Sequence, residues 1–239
     1  MKLAELLKQL RLSGSSRIKD MLLIFKDGSV SAYNASPDRT VASMVENFPT
    51  NIKINAVIGI SSVSLLEKYL NEFGESFRVE KNRLVFEKDK KRVILPLVEN
   101  SNVGSAVSKE KFEEWIKIVE SNKIEEVVVS LERIKEIVND GNTIKADNIR
   151  VRVGKKISII LKSGAGESIY TKSFYTNIVE HIIEEKDTSR EEIEVGFPSA
   201  LLDVLNSITD TSTLHITPAS PLLIKSGKIT YLVAPINIY

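Results

Sequence analysis

Residues 195–236 read VGFPSALLDVLNSITDTSTLHITPASPLLIKSGKITYLVAPI, and they repeat in varied form residues 58–98, IGISSVSLLEKYLNEFGESFRVEKNRLVFEKDKKRVILPLV. Each stretch begins with a short apolar strand that ends in glycine and an apolar residue. A helix with a Leu-Leu-acid core follows, then three strands joined by two turns. Each stretch closes on an apolar-Pro-apolar triplet, Leu95–Leu97 and Ala234–Ile236. The offset of about 137 residues is too long for a solenoid repeat. The pattern therefore predicts two tandem copies of one α+β domain.

The composition is that of an ordinary folded protein, with 239 residues of which 42% are apolar and 27% charged. Thirty-three Lys and Arg against 32 Asp and Glu give a formal net charge of +1. Any contact with nucleic acid must therefore come from charges that are sorted onto one face. The chain has no cysteine, which excludes disulfides, thiol nucleophiles and cysteine-based metal sites.

The absence of any run of eighteen apolar residues, together with an amphipathic start, predicts a cytoplasmic protein. Such a protein would be associated with the nucleoid, or would lie in the host cytoplasm if the source is viral. The Lys-, Glu- and Ile-rich balance without cysteine also fits a thermophile.

The first copy shows a helix, short strands and a second helix. Leu3, Leu6, Leu7 and Leu10 at helical spacing predict a short helix that Gly14 ends. Strands follow, with Asp27–Gly28 as a hairpin signal. A second helix begins at Ser61 or Ser62 and precedes three more strands.

The small, polar residues 99–108 read as a surface linker, and residues 109–122 as an extra helix with an apolar stripe at Phe112, Trp115, Ile116 and Val119. In the second copy we expect a helix that stops at Asp140–Gly141. We also expect strands around 143–148 and 167–174, and a less regular stretch over 175–190. The expected domains are 1–98, a connector with the extra helix over 99–122, and 123–239.

The hairpin FKDGSVSAYNAS (residues 25–36), the central linker and the C-terminal PLLIKSGKITYLVAPI (residues 221–236) resemble the PCNA family of DNA sliding clamps. The layout is also similar to the trimeric clamps of some bacteriophages. The resemblance implies an α+β fold of two tandem clamp domains, with antiparallel sheets outside and two helices per domain lining an inner face.

That family's architecture further implies a homotrimeric ring, without a cofactor, that encircles duplex DNA. Such a ring is a processivity factor that tethers DNA polymerase and other replication proteins during DNA replication. A ring that slides needs mobile, sequence-blind phosphate contacts from Lys and Arg on helix faces. The candidates for DNA binding are Lys2, Lys8, Arg11, Lys68, Arg133 and Lys135. Each can equally be a solvated surface charge, and the fourth helix carries Asp203 and no basic residue.

The family's partner site accepts a short apolar and aromatic peptide motif beside the linker. Carried over by position, that site consists of Val41, Val103, Pro221, Tyr231, Ala234, Pro235 and Ile236. The alternative is that the Ala234–Pro235 strand end is packed for stability alone.

Ring closure in the family joins an edge strand of one first domain to an edge strand of the next second domain. By position the subunit interface consists of Arg92, Val93, Ile94, Leu95, Ile169, Tyr170, Lys172 and Phe174. An open apolar edge would otherwise invite aggregation. The alternative is an edge that the linker helix covers, in a monomer or dimer.

The residues argue against an enzyme. His181 and His215 lack metal-ligand spacing and are expected on strand surfaces, and Glu125–Glu126 lie on opposite faces of a strand. Gly164-Ala165-Gly166 lacks the residues of a phosphate-binding loop. Two other functions stay open: a clamp-fold adaptor that binds partners without encircling DNA alone, and one subunit of a heterotrimeric ring. The adaptor would bind partners through the same pocket or through the Trp115 helix; the alternative for that helix is that its apolar stripe packs on its own sheet.

Overall fold

The computed structural model describes residues 1–164, 175–186 and 191–236. The chain divides into two compact units, Met1–Phe112 with Lys228–Thr230, and Glu113–Gly227 with Tyr231–Tyr239. Across the described residues, no helix is long and apolar enough to cross a membrane.

The first copy is one antiparallel sheet with two helices. Its elements are α1 (Leu3–Leu10), β1 (Met21–Lys26), β2 (Ser29–Ala35), β3 (Val41–Pro49), β4 (Ala56–Ile60), α2 (Val63–Phe73), β5 (Phe77–Glu80), β6 (Arg83–Lys88) and β7 (Lys91–Val98). The strands lie in the order β5-β6-β7-β4-β1-β2-β3, and neighbours are antiparallel. A helix without a counterpart in the first copy, α3 (Lys109–Asn122), follows.

The second copy repeats the pattern after an added strand. Its elements are β8 (Glu125–Val129), α4 (Leu131–Ile144), β9 (Asn148–Val153), β10 (Lys156–Gly164), β11 (Tyr175–Glu185), β12 (Ile193–Pro198), α5 (Ala200–Ser207), β13 (Ser212–Ile216), β14 (Leu222–Ser226) and β15 (Ile229–Val233). One sheet has the order β11-β10-β9-β12, and the remaining strands follow the order β15-β14-β13-β8. The α+β class with antiparallel sheets is confirmed.

The duplication extends to hydrogen bonding. In the first copy Gly59 of β4 pairs with Val98 of β7. In the second copy the Ile236 N–H donates to the carbonyl of Gly196, the glycine that corresponds to Gly59, at 2.9 Å. This pairing aligns Val98 with Ile236 and therefore Pro96 with Ala234. The alignment of Pro96 with Pro235 that the sequence motif suggests is wrong by one residue.

Buried apolar stripes hold the helices on their sheets. The predicted leucines of α1, Leu3, Leu6, Leu7 and Leu10, are at most 1% exposed, and burying each contributes about 1.5–3 kcal/mol. At the contact of α2 with β5 and β6 the rings of Tyr69, Phe73, Phe77 and Phe86 form a cluster with centroids 5.3–6.2 Å apart. Asp27 and Gly28 both have positive φ, +49° and +73°, as the predicted tight hairpin requires.

Two predictions in the second copy are wrong. Helix α4 does not stop at Asp140–Gly141 but continues to Ile144, and it takes up part of the strand expected around 143–148. Most of the stretch expected to be irregular is strand β11. Glycine ends a helix only where solvent or a turn follows. Gly141 instead faces Leu202 of α5, where an added Cβ would lie 2.7 Å from Leu202 Cδ1. The strand predicted at 167–174 lies outside the described residues.

Candidate functional site

The helix pair of the first copy carries most of the predicted DNA-binding residues. Lys2, Lys8 and Lys68 are exposed. Arg11 instead donates from Nε to Glu67 Oε2 of α2 at 2.7 Å, and the two side chains are 19% and 15% exposed. Arg11 therefore joins the two helices, and Glu67 offsets its charge.

The helix pair of the second copy is less basic. Arg133 of α4 binds Glu136 at 2.6 Å and donates to the Ile182 carbonyl of β11 at 2.9 Å, whereas Lys135 is exposed. Helix α5 carries Asp203 and no Lys or Arg. Charged groups on α4 sum to −1 and on α5 to −1, so this pair has a net charge of −2. Counted over the same bounds, helix α1 sums to 0 and α2 to −1, so the first pair has a net charge of −1. Lys2 and Arg11 flank α1, and Lys145 follows α4.

The linker is fastened to the first unit by backbone contacts. Ala35 N–H donates to the Ser105 carbonyl at 2.8 Å, and Val107 N–H to the Tyr33 carbonyl at 3.0 Å. Gly104 N–H donates to Asp20 Oδ2 at 2.7 Å, and Gly104 O accepts from Arg39 at 3.1 Å. The linker is thus a strand-like segment beside the end of β2.

A cavity of about 490 Å³ opens beside this segment in the first unit. Its walls include Lys19, Asp20, Pro37, Ser61, Val98 and Asn102. Nearby, Gly59 brings β4 and β7 close to the linker, since an added Cβ would lie 2.6 Å from the Val98 carbonyl oxygen and 3.0 Å from Val103 Cγ2. The cavity offers both backbone polar groups and apolar surface, which suits an extended peptide.

Helix α3 begins on a hydrogen-bonded anchor. Lys109 lies 2.7 Å from Glu46 of β3, and the Tyr33 hydroxyl donates to the same carboxylate. Hydrogen bonds from Lys109 and Tyr33 hold the pKa of Glu46 below its usual value. The Phe112 ring, which is fully buried, packs against Tyr33 with centroids 6.4 Å apart. Sequence reasoning missed this anchor because its three groups come from separate elements.

The residues predicted for partner binding differ in exposure. Val41, Val103 and Tyr231 are buried, at 1%, 6% and 0% exposed. The Tyr231 hydroxyl is buried without a hydrogen-bond partner in the described structure, and burial raises its pKa. The partly exposed members are Pro221, Ala234, Pro235 and Ile236. Surface for a ligand is therefore available at the C-terminal segment, whereas Tyr231 is a core residue.

The predicted subunit-interface residues fall partly within the described chain. Arg92, Val93, Ile94 and Leu95 lie on β7, where they pair with β6 on one side. On the other side only Leu97 and Val98 of β7 pair, with β4. Ile169, Tyr170, Lys172 and Phe174 lie outside the described residues. The neighbouring strand β11 is at the edge of its sheet and exposes Ile178 to 59%.

A network of charges on the second copy's four-stranded sheet was not foreseen. Arg152 of β9 contacts Glu194 at 2.9 Å and Glu192 at 3.2 Å, and Arg150 also binds Glu194. Burial would raise the pKa of Glu194, but hydrogen bonds from Arg150 and Arg152 lower it overall. The signal was the alternation of charged and apolar residues in IRVRV and EIEV.

The two histidines are buried, not on strand surfaces as expected. His181 is 7% exposed, with Nε2 3.0 Å from Asp140 Oδ2 of α4. His215 is 5% exposed, with Nδ1 3.9 Å from Glu126 Oε2. Glu125 contacts Lys186 and Glu126 contacts Lys123, so these neighbours do face different ways. Among the described residues no group of three or more His, Cys, Asp or Glu could hold a metal ion.

Comparisons by sequence find nothing: no protein-family model and no curated protein matches the chain. Comparison with solved structures finds clamps. The Helicobacter pylori β clamp in complex with 5-chloroisatin matches with a TM-score of 0.69 and 18% identity over 99% of this chain. This chain spans 64% of that protein's length.

Two archaeal structures match along almost their whole length. PCNA from Thermococcus kodakaraensis gives a TM-score of 0.61 and 14% identity, over 98% of this chain and 95% of that one. A PCNA2–PCNA3 complex from Sulfolobus tokodaii gives 0.64 and 12%, over 97% and 94%. The neighbours named here are all clamp or PCNA structures. The fold of this chain, over essentially its full length, is that of the DNA sliding clamps.

Proposed function

We propose that the protein is a DNA sliding clamp: three copies form a ring around duplex DNA in the cytoplasm and tether DNA polymerase and other replication proteins. The observation that carries the proposal is the duplicated clamp domain, whose two copies share one strand register. The match along 95% of the Thermococcus kodakaraensis PCNA chain supports it.

The DNA contacts in this proposal come from exposed lysines on helices. Lys2, Lys8, Lys68 and Lys135 are exposed and offer phosphate contacts without reading bases. Arg11 and Arg133 are committed to Glu67 and Glu136, which reduces the charge they present. A weakly basic set of contacts suits a protein that must move along the duplex.

Ring closure in this proposal joins β7 of one copy to β11 of the next. Beyond its pairing with β6, β7 has free backbone groups over 91–96 in the described part of the chain, and it exposes Ile94 to 45%. Strand β11 is an edge strand that exposes Ile178. Edge strands of this kind are stable when they pair. Partner proteins would bind the linker cavity through a short apolar and aromatic motif.

Ring formation and encirclement are tested together. Light scattering should give about three times the 26.7 kDa chain mass. Protein loaded on nicked circular DNA should stay bound at high salt and leave when the circle is cut, because only a threaded ring is held by topology. A monomer at high micromolar concentration, or equal retention on circular and linear DNA, would contradict the proposal.

Charge reversal tests the DNA contacts. Lys8→Glu with Lys68→Glu should abolish stimulation of long-product synthesis by a polymerase on primed DNA. The matched control is Lys90→Glu with Lys228→Glu, which changes the same charge at exposed turn lysines. Equal loss in both double variants would assign the effect to net charge and not to the helices.

A second candidate is a clamp-fold adaptor, or one subunit of a heterotrimeric ring, that does not encircle DNA alone. The observation that favours it is the −2 charge of the α4–α5 helix pair, which phosphates would not favour. Either form would bind partner peptides normally but would show no difference between circular and linear DNA on its own. A heterotrimer subunit would be retained better on circular than on linear DNA only when its partner chains are present.

A further inference from the structure

The first copy has an open strand edge that the second copy covers. Strand β5 pairs with β6 over Phe77–Glu80, and in the described part of the chain no strand lies on its other side. Strand β13 holds the same place in the second copy, and it pairs with β14 on one side and with β8 on the other.

The register matches residues across the two edges. Phe77 pairs with Phe86, two residues before the turn after β6, and Leu214 pairs with Ile224, two residues before the turn after β14. Phe77 therefore corresponds to Leu214, and Arg78 to His215. In the second copy β8 places Val127 opposite Leu214 and Glu126 opposite His215.

The exposure of the β5 side chains shows what an added strand would cover. Leu214 and His215 are 1% and 5% exposed. Phe77 is only half-buried, although its ring packs on Phe86 with centroids 5.3 Å apart, and the Arg78 side chain is 50% exposed. An added strand on β5 would remove an aromatic ring and backbone polar groups from water.

The charges beside the open edge favour an acidic occupant. Arg78 contacts Glu80 and Glu87 at 2.5 Å, and Arg92 contacts Glu87 at 3.1 Å. With Arg83 this face holds three arginines and two glutamates, an excess of one positive charge. A carboxylate in the position that Glu126 has in the second copy would lie opposite Arg78 and balance that excess.

We propose that the open edge of β5 binds an extended segment of a partner protein as an added antiparallel strand, with an apolar residue opposite Phe77 and an acidic residue opposite Arg78. Main-chain hydrogen bonds supply affinity in this mode and alternate side chains supply specificity. Because β5 has only four residues, the occupant is short and the edge resists indiscriminate pairing. The proposal depends on the fold alone and not on ring formation or DNA.

The test uses the chain's own covering strand as the probe. A fluorescein-labelled peptide with the sequence of residues 124–130, IEEVVVS, is titrated with the full chain and followed by fluorescence anisotropy. We expect saturable binding, weakened about five-fold by Arg78→Glu, because a cross-strand attraction becomes a repulsion. The matched control Arg83→Glu makes the same charge change one strand further in and should have little effect. The same peptide with lysine in place of Glu126 should prefer the Arg78→Glu protein.

Hydrogen exchange locates the binding. Amides of residues 77–80 should exchange more slowly when the peptide is present. Absence of binding at about 1 mM peptide, or binding that is insensitive to both charge swaps and leaves residues 77–80 unprotected, overturns the proposal. If the amides of residues 77–80 are protected without peptide and this protection disappears on dilution, a second copy of the chain occupies the edge. That result would also overturn the proposal. If circular dichroism shows that Arg78→Glu is unfolded, Arg78→Gln replaces it, with a smaller weakening expected.

Discussion

The two helix pairs occupy the same place in the two copies but are joined by different chemistry. In the first copy α1 and α2 are connected by the ion pair of Arg11 with Glu67, which is half-buried. In the second copy the Leu202 side chain of α5 packs directly on Gly141 of α4, where an added Cβ would lie 2.7 Å from Leu202 Cδ1. One joint is polar and the other is apolar and close-packed. The duplication therefore preserves the path of the backbone and leaves the contact between helices free to change.

The largest expected effect comes from filling the apolar joint. Gly141→Val should lower the free energy of unfolding by about 1–3 kcal/mol, because the new side chain must displace Leu202 in a packed interior. Urea denaturation measures this change. The control is Asn142→Val at the next, exposed position of α4, where valine replaces a residue of similar helix propensity without the clash. At Gly141 helix propensity alone would favour valine, so a loss of stability there reports the clash. Equal destabilisation by both variants would mean that the close approach of α4 and α5 is not what requires glycine.

An intermediate effect is expected at the polar joint. A double-mutant cycle with Arg11→Met and Glu67→Gln should give a coupling energy of about 1 kcal/mol, since the pair is shielded from water yet not fully buried. The coupling should be largely insensitive to salt in comparison with a surface pair such as Arg133 with Glu136. A coupling near zero would place the connection between α1 and α2 in their apolar stripes alone.

The smallest expected effect concerns the residues that correspond across the copies, Arg78 and His215. Burial lowers the pKa of His215 in the folded chain. Just below the ordinary histidine pKa of about 6.5, the unfolded chain therefore binds a proton that the folded chain does not bind. The free energy of unfolding should therefore decrease as pH falls below about 6.5. Thermal melts between pH 7.5 and 5.5 measure this slope.

The variant His215→Gln should flatten that slope, while Arg78→Gln should leave it unchanged because arginine does not titrate there. The nearby charges of Lys225, Glu126, Lys123 and Glu120 remain in both variants. An unaltered slope in His215→Gln would mean that the burial of His215 does not cause the pH dependence.

The sequence predicted those features that depend on local spacing. Residue periodicity and turn residues predicted the leucines of α1, the Asp27–Gly28 hairpin and the two α+β copies. Features that depend on contacts between residues distant in sequence could not be predicted. Arg11 and Glu67 are 56 residues apart, and nothing near Arg11 indicates a carboxylate. Gly141 follows the local rule for a helix end, and tertiary packing overrides that rule.

The candidate site divides in the same way. Exposed lysines on helices could be predicted, because the polar face of an amphipathic helix faces water. The burial of Tyr231 and the anchor of Glu46 with Lys109 could not, since neither follows from the local spacing of residues.

The shared hydrogen-bond register limits how such a chain can evolve. A substitution within a strand changes one contact, whereas an inserted residue turns every later side chain to the opposite face. Changes in length should therefore accumulate in turns. The copies show this, with two residues between β5 and β6 and five between β13 and β14. Ancestry in this fold is consequently recorded in backbone pairing long after residue identities have been lost.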